Sequence, residues 1–292
     1  MERIGWIPAC AGMTRKLLEM IKFSHSIFAL PFALGAMLVA AQSLPSPQTF
    51  FWILVCLVSA RSAAMAFNRL VDANIDAKNP RTRTRHLPQG ILSKKFVALF
   101  TLVCVALFFF ASFQINSLTF ALSPFVIFFL LFYSYTKRFT FLSHVWLGLC
   151  LSLAPLGAWV AVTGQYPWSA IPLALGVIFW VAGFDIIYAT QDEAFDRKEG
   201  LHSIVSRFGI RKALWISRLF HLCSVATLVW FGLENNLGTV YFATVLLIAG
   251  ALAYEQSLVK AGDLSKVGPA FFTMNGVVSM IFLVGIVIDR VN

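Results

Sequence analysis

The chain has 292 residues, of which 59% are hydrophobic and only 12% are charged. A soluble domain carries about 25% charged residues, so the composition excludes a soluble protein and predicts a multi-pass membrane protein. The net charge of +10 does not indicate nucleic-acid binding, because the basic residues lie in connections between apolar stretches and not on one polar face. The expected partner is therefore the lipid bilayer, and nucleic acid is not a partner.

The chain divides into a short extension and one long apolar region. Residues 1–20 contain no continuous apolar run, so we expect a disordered N-terminal extension without a cleavable signal peptide. Residues 21–292 are predicted to form a single transmembrane domain, with nine stretches that can cross a bilayer as helices. These are 21–42, 49–68, 95–113, 117–136, 141–162, 168–190, 213–232, 237–257 and 268–288. The predicted fold class is all-α, a bundle of about nine transmembrane helices.

Lysine and arginine are confined to alternate connections between the predicted spans. The connections without them are 43–48, 114–116, 163–167 and 233–236. The basic connections are the loops 69–94 and 191–212 and the turns that follow the fourth and eighth spans. Because basic connections face the cytoplasm, we expect the N-terminus and both long loops to be cytoplasmic, in a bacterial-type inner membrane.

The first long loop begins with regularly spaced oxygen-bearing side chains. Asn68, Asp72 and Asp76, the first acidic cluster, follow each other at intervals of four, so they share one face of a helix that extends the second span. Neighbouring carboxylates repel unless a cation lies between them, and hard oxygen ligands suit Mg²⁺. Arginines follow at positions 81, 83 and 85 and provide donors for phosphate oxygens.

The second long loop has the same layout. Asp192 and Asp196, the second acidic cluster, stand four residues apart, and Arg197 and Lys198 follow at once. Carboxylates for a metal, followed by cations for phosphate oxygens, are the composition that a diphosphate site requires. The alternative interpretation is that these carboxylates are solvated or ion-paired at the surface. The presence of two such clusters on one predicted side of the membrane disfavours this alternative.

These residues resemble the motifs of the UbiA family of prenyltransferases. The segment NRLVDANID, residues 68–76, resembles the family's N-x-x-x-D-x-x-x-D motif, and YATQDEAFDRKEG, residues 188–200, resembles its second aspartate motif. Between them, YSYTKR, residues 133–138, is similar to its Y-x-x-x-K element. The resemblance covers the chain from about residue 20. It implies a helical bundle around a central cavity and Mg²⁺-dependent transfer of a polyprenyl chain from its diphosphate to an aromatic ring.

The resemblance also implies roles for individual residues. The metal ligands would be the members of the two acidic clusters, with one ion at each: Asn68, Asp72, Asp76, Asp192 and Asp196. Lys137 would contact the diphosphate and act in catalysis with the four aspartates. Arg138 and, as a weaker candidate, Lys198 would bind the same substrate, and Tyr133 belongs to the same substrate-binding element.

Arg61 and Asp185 are charged residues inside predicted spans, where ionisable side chains are costly and usually functional. Arg61 lies two turns before Asn68 on the same helix face, so it is a candidate to bind a carboxylate of the acceptor. Asp185 is expected to orient the acceptor, to take up its proton, or only to pair with Arg61. For Arg61, binding of the acceptor and simple pairing with Asp185 are equally favoured. His25, near the cytoplasmic end of the first span, is expected to be a hydrogen-bonded structural residue.

The acceptor follows from the branch of the family that the chain resembles. The first span and residues 61–90 resemble the 4-hydroxybenzoate polyprenyltransferase-like branch, so the expected substrates are a polyprenyl diphosphate and 4-hydroxybenzoate, in ubiquinone biosynthesis. The same reaction on 1,4-dihydroxy-6-naphthoate, in menaquinone biosynthesis, is the alternative. A secondary transporter is the alternative from another class. It would explain intramembrane charges and a weak repeat, but not the concentration of acids in two loops.

Overall fold

The computed structural model describes residues 6–22, 28–41 and 45–291, and for residues 6–11 it describes the backbone alone. Secondary structure in these ranges is helical, apart from an isolated bridge between Lys260 and Asp263. The longer helices are α1 (Trp6–Met20), α2 (Leu30–Ala41), α3 (Pro47–Lys78), α4 (Lys94–Ile115), α5 (Ser117–Thr136), α6 (Ser143–Thr163), α7 (Ile171–Ala189), α8 (Glu193–Lys198), α9 (Ile204–Glu234) and α10 (Thr239–Leu258). The chain ends with a helical turn, α11 (Val267–Pro269), a π-helical segment (Ala270–Met274) and α12 (Asn275–Val291).

Eight segments of the described chain are long and apolar enough to cross a membrane. This confirms the predicted all-α, multi-pass fold, whereas the count of nine was approximate. The difference lies in the first predicted span, because α1 ends at Met20 and the apolar α2 has only 12 residues. Residues 23–27 lie outside the described ranges, and the prediction for His25 falls among them.

The N-terminal segment is helical over Trp6–Met20, where the sequence analysis expected disorder. The end of α1 is anchored: Met20 and Ile21 are buried and pack with Ala66, Leu87 and other apolar side chains around α3. Arg69 Nε also donates a hydrogen bond to the carbonyl oxygen of Met20, at 3.4 Å. The last residues of this segment are therefore apolar and pack against the bundle, although residues 1–20 contain no continuous apolar run.

The core of the bundle is aromatic and lies where α2, α7, α9, α10 and α12 meet. Phe32 of α2 stacks on Phe282 of α12 with 4.5 Å between ring centroids, and Trp180 of α7 lies 4.9 Å from Phe32. The segment that contains α7 is the most deeply buried of the candidate spans, because α6 and α9 pack along it. The short α2 is thus an interior element, and α7 is in a position to carry polar groups into the protein interior.

The ends of three helices meet at one end of the bundle. α3 continues without a break to Lys78, so it carries the whole first acidic cluster, as predicted. α5 ends at Thr136 and is capped by Lys137. The third end is that of α8, which Glu199 caps. Lys78 Nζ of α3 contacts Glu199 Oε2 at 2.7 Å, and Arg138 Nη2, just after α5, contacts Asp72 Oδ1 of α3 at 3.0 Å. The polar groups of the three helix ends therefore face one another.

The contact between α6 and α7 depends on a glycine. A methyl group on Gly148 would overlap the backbone of Ile178, with the new Cβ only 2.9 Å from the Ile178 Cα. Backbone cannot move away as a flexible side chain can, so we expect Gly148→Ala to destabilise the fold by about 1–3 kcal/mol. Thermal unfolding in detergent measures this effect. The control is Gly157→Ala on the same helix, where a Cβ meets nothing within 4 Å; equal unfolding temperatures for both variants would contradict the prediction.

Candidate active site

The last turns of α3 present the first acidic cluster on one face. Asn68 Nδ2 donates a hydrogen bond to Asp72 Oδ2 at 2.9 Å, which fixes the orientation of that carboxylate. Arg138 Nη2 donates to Asp72 Oδ1 at 3.0 Å, and Arg85 Nη1 lies 2.7 Å from each oxygen of Asp76. The two aspartate side chains keep only 7% and 8% of their surface exposed, so each is a buried carboxylate with one arginine partner.

The second acidic cluster is joined to the first by the loop that follows α3. Asp192 accepts hydrogen bonds from Arg81 Nε at 2.9 Å and from Asn79 Nδ2 at 3.0 Å, and it also contacts Arg81 Nη2. Arg81 Nη1 in turn donates to the hydroxyl of Tyr188 at 2.8 Å. Burial alone would lower the pKa of Arg81, but its pairing with Asp192 raises this pKa above its ordinary value. Arg81 is therefore a permanent cation beside Asp192 in the second cluster.

The second acidic cluster does not lie on one continuous α-helix. α7 ends at Ala189, a 3₁₀ turn covers Thr190–Asp192, and α8 begins at Glu193. The 3₁₀ turn places Asp192 beside Arg81, while Asp196 is carried on the short α8. Asp196 is 7% exposed, and its side chain has no hydrogen-bond or ion-pair partner within the described ranges.

A buried carboxylate without a partner is costly, so Asp196 fits a site that holds a cation in another state of the protein. The oxygen-rich clusters suit Mg²⁺ by ligand type. The described residues nevertheless contain no group of three His, Cys, Asp or Glu side chains drawn together as a metal site. Arginines stand at the positions between the carboxylates, and they neutralise these groups in the arrangement seen here.

The predicted phosphate-binding residues differ in where they lie. Lys137 interacts electrostatically with Asp72, Asp192 and Asp196, so its ammonium group is near both clusters. Arg138 contacts Asp72 directly. Lys198 is exposed, and no contact described in the structure links it to either cluster.

Arg61 and Asp185 do not form the pair that the sequence left open. Asp185 Oδ2 lies 2.6 Å from His144 Nδ1, on α6. Arg61 has no hydrogen bond or ion pair in the described part of the chain, and its buried Nε atom is without a partner. The alternative in which Arg61 only satisfies Asp185 is therefore wrong. The charges of both Asp185 and Asp72 act on the hydroxyl of Tyr133, so Tyr133 lies near both residues.

Sequence reasoning missed three residues of this site. They are Asn79, Tyr188 and His144. Asn79 and Tyr188 are recognisable only by their contacts with Arg81 and Asp192. A histidine inside an apolar helix is itself a signal of function, so His144 could have been noticed from its place in the fifth predicted span.

Comparison with known proteins agrees with this arrangement. The sequence profile of the UbiA prenyltransferase family matches residues 29–277. The 4-hydroxybenzoate octaprenyltransferase of Vibrio campbellii is 31% identical over 274 residues, which cover 94% of this chain and 95% of the relative. The protein of the same name from Nitrosospira multiformis is 30% identical over 251 residues, 86% of each chain.

Solved structures share the same architecture. The apo structure of a UbiA homolog from Aeropyrum pernix K1 matches with a TM-score of 0.83 and 31% identity, over 91% of this chain and 98% of the other. A UbiA homolog from Archaeoglobus fulgidus bound to GPP and Mg²⁺ matches with a TM-score of 0.76 over 95% of this chain and 100% of the other. Its identity is 20%, so that likeness concerns the fold alone.

Proposed function

This chain belongs to the UbiA prenyltransferase family, and we propose that it transfers a polyprenyl chain from its diphosphate to the ring of 4-hydroxybenzoate, a step of ubiquinone biosynthesis. The observation that carries the proposal is the meeting of two acidic clusters and their arginines at one end of an apolar helical bundle. The name shared by the relatives from Vibrio campbellii and Nitrosospira multiformis supports the choice of acceptor.

We propose that the two acidic clusters hold Mg²⁺ when the diphosphate binds. The ligands are Asn68, Asp72, Asp76, Asp192 and Asp196. Their oxygen chemistry and the unpartnered, buried Asp196 support this assignment, as does the A. fulgidus homolog bound to GPP and Mg²⁺. Bound Mg²⁺ supplies positive charge that neutralises the pyrophosphate leaving group.

The residues around the clusters bind the diphosphate and hold the reacting groups. Lys137 and Arg138 donate hydrogen bonds to phosphate oxygens, and their charge favours departure of the pyrophosphate. Arg81 and Arg85 leave their carboxylates and turn to the same oxygens, because guanidinium groups bind phosphate at least as well as carboxylate. The aromatic interior of the bundle excludes water from the allylic cation. The ring of 4-hydroxybenzoate attacks this cation through the carbon ortho to the phenolic hydroxyl.

If Arg81 leaves Asp192 to bind phosphate, removing Arg81 should raise the affinity of the substrate-free protein for a divalent metal. Arg81→Gln frees Asp192, so we expect Mn²⁺, a paramagnetic substitute for Mg²⁺, to bind the substrate-free protein about tenfold more tightly, since one charge-assisted pair is removed. Electron paramagnetic resonance measures free Mn²⁺ directly. The matched control is Arg83→Gln, which removes the same charge from an exposed position two residues away. An equal increase in both variants would show that net charge alone is responsible.

We also propose that the end of the bundle with the acidic clusters faces the cytoplasm in a bacterial inner membrane, with the N-terminus on the same side. The multi-pass architecture supports a membrane location, and the confinement of Lys and Arg to alternate connections supports the orientation. Cysteine labelling from either side of sealed vesicles, with cysteines introduced at exposed positions such as Gln89 and Gln165, tests it. Labelling of the two positions from the same side would contradict the proposal.

The reaction is tested with membranes that contain the protein, Mg²⁺ and a polyprenyl diphosphate. Either 4-hydroxybenzoate or 1,4-dihydroxy-6-naphthoate is added, and products are identified by mass. We expect prenylated 4-hydroxybenzoate, and EDTA should abolish it. A prenylated naphthoate alone would move the enzyme to menaquinone biosynthesis, whereas the absence of both products and of pyrophosphate would favour a transporter.

A further inference from the structure

A histidine–aspartate pair lies inside the helical bundle, outside the two acidic clusters. His144 is on the first turn of α6, with 4% of its side chain exposed, and Asp185 is near the end of α7. His144 Nδ1 and Asp185 Oδ2 are 2.6 Å apart, a short distance for a hydrogen bond between a ring nitrogen and a carboxylate. Asp185 keeps 18% of its side chain exposed, so one face of the carboxylate stays open.

The pair lies near residues of the candidate active site. The charge of Asp185 acts on the hydroxyl of Tyr133, which also feels Asp72. On the other side, His144 interacts electrostatically with Asp196. One member of the pair is thus near Tyr133 of the Y-x-x-x-K element, and the other is near Asp196 of the second acidic cluster.

The second ring nitrogen of His144, Nε2, indicates that the hydrogen bond to Asp185 is the function of this residue. Nε2 is buried and has no partner among the described side chains, which costs about 1–3 kcal/mol. An apolar residue would avoid this cost, so the single bond to Asp185 is the contact that justifies a histidine here. A ring that donates from Nδ1 fixes Oδ2 of Asp185 and leaves Oδ1 free.

We propose that His144 is a positioning residue that holds Asp185 so that its free oxygen takes the proton of the acceptor's phenolic hydroxyl. This inference rests on the proposed function. As the ortho carbon of the ring bonds to C1 of the prenyl chain, the C–O bond to the diphosphate breaks and its electron pair leaves with pyrophosphate. Asp185 accepts the hydroxyl proton in that step. Asp185 then returns this proton to the ring oxygen, while the ring carbon releases its own hydrogen as a proton to the departed pyrophosphate.

The test compares two acceptors that differ in phenol acidity, 4-hydroxybenzoate and 3-fluoro-4-hydroxybenzoate. In His144→Leu we expect kcat with 4-hydroxybenzoate to fall about 30-fold, within the range of a general base. With the fluorinated acceptor the fall relative to wild type should be about fivefold, because its more acidic hydroxyl needs less help from a base. His144→Asn, which keeps a donor near the Nδ1 position, should recover most of the loss, and KM for the prenyl diphosphate should stay unchanged.

The matched control is His221→Leu on α9. His221 is also buried, and its Nδ1 lies 3.0 Å from Gln256 Nε2, so its loss should lower activity equally with both acceptors. Equal losses on the two acceptors in His144→Leu, or no recovery in His144→Asn, would overturn the inference while the proposed function stands. Absence of prenylated product from the wild-type protein would overturn both.

Discussion

Replacing Asp72 or Asp192 by Asn is expected to lower kcat by about 10³-fold, the scale of losing one group that stabilises transition-state charge. The substitution keeps the size of each side chain but removes the negative charge that the proposed metal site needs. It also leaves Arg138 or Arg81 without its carboxylate partner. Initial rates of prenylation in detergent, at saturating Mg²⁺ and both substrates, measure the effect.

The matched control for this prediction is Glu193→Gln. Glu193 is adjacent to Asp192 in sequence, but its carboxylate pairs with Arg197 at 3.0 Å on the surface of α8. Exposed pairs contribute about 0–1 kcal/mol, so this variant should retain activity within about fivefold. Near-normal turnover in Asp72→Asn would show that the first acidic cluster is not a metal site, and the same result in Asp192→Asn would remove the second.

Replacing Arg61 by Ala is expected to lower kcat/KM for 4-hydroxybenzoate by about 100-fold, because a buried charge pair with the acceptor carboxylate would be lost. Arg61 lies on the same stripe of α3 as Asn68 and Asp72, two turns deeper in the bundle. A guanidinium that is left unpartnered in the interior is costly unless a ligand carries the opposite charge. Steady-state kinetics with 4-hydroxybenzoate and with an uncharged phenol of similar size separate the loss of the carboxylate contact from a general structural effect of the substitution.

Arg69→Ala is the control for Arg61. Arg69 is a buried arginine on the same helix, and its Nε donates a hydrogen bond to the carbonyl oxygen of Met20 at the end of α1. Its charge also acts on Asp72 and Asp76, which belong to the diphosphate site that both acceptors share. Its loss should affect both acceptors equally, whereas Arg61→Ala should spare the uncharged phenol. Equal losses on the two acceptors in Arg61→Ala would assign that residue a structural role.

The parts of the site that could be predicted from the sequence are those that one helix determines. Asn68, Asp72 and Asp76 share a face of α3 because their spacing follows the helical repeat, and α3 continues to Lys78 as that spacing required. The membrane class and the helical fold followed in the same way from the length and apolarity of the spans.

The parts that could not be predicted depend on how helices meet. Asp192 accepts from Arg81, which is 111 residues earlier, and Asp185 pairs with His144 instead of Arg61. Such pairings are set by the rotation and depth of neighbouring helices, which hydrophobic periodicity does not specify. The break between α7 and α8 was missed for a similar reason: a 3₁₀ turn at Thr190–Asp192 satisfies the local spacing as well as an α-helix does, and tertiary contacts select it.

The arginines that occupy the acidic clusters also determine the net charge that the site presents before substrate arrives. Arginines pair with three of the four carboxylates: Asp72 with Arg138, Asp76 with Arg85 and Asp192 with Arg81. Pairing reduces the long-range field of each charge, since electrostatic steering needs an excess of one sign of charge. Capture of a diphosphate that is already confined to the membrane plane would then depend on lateral diffusion, and its rate would change little with ionic strength.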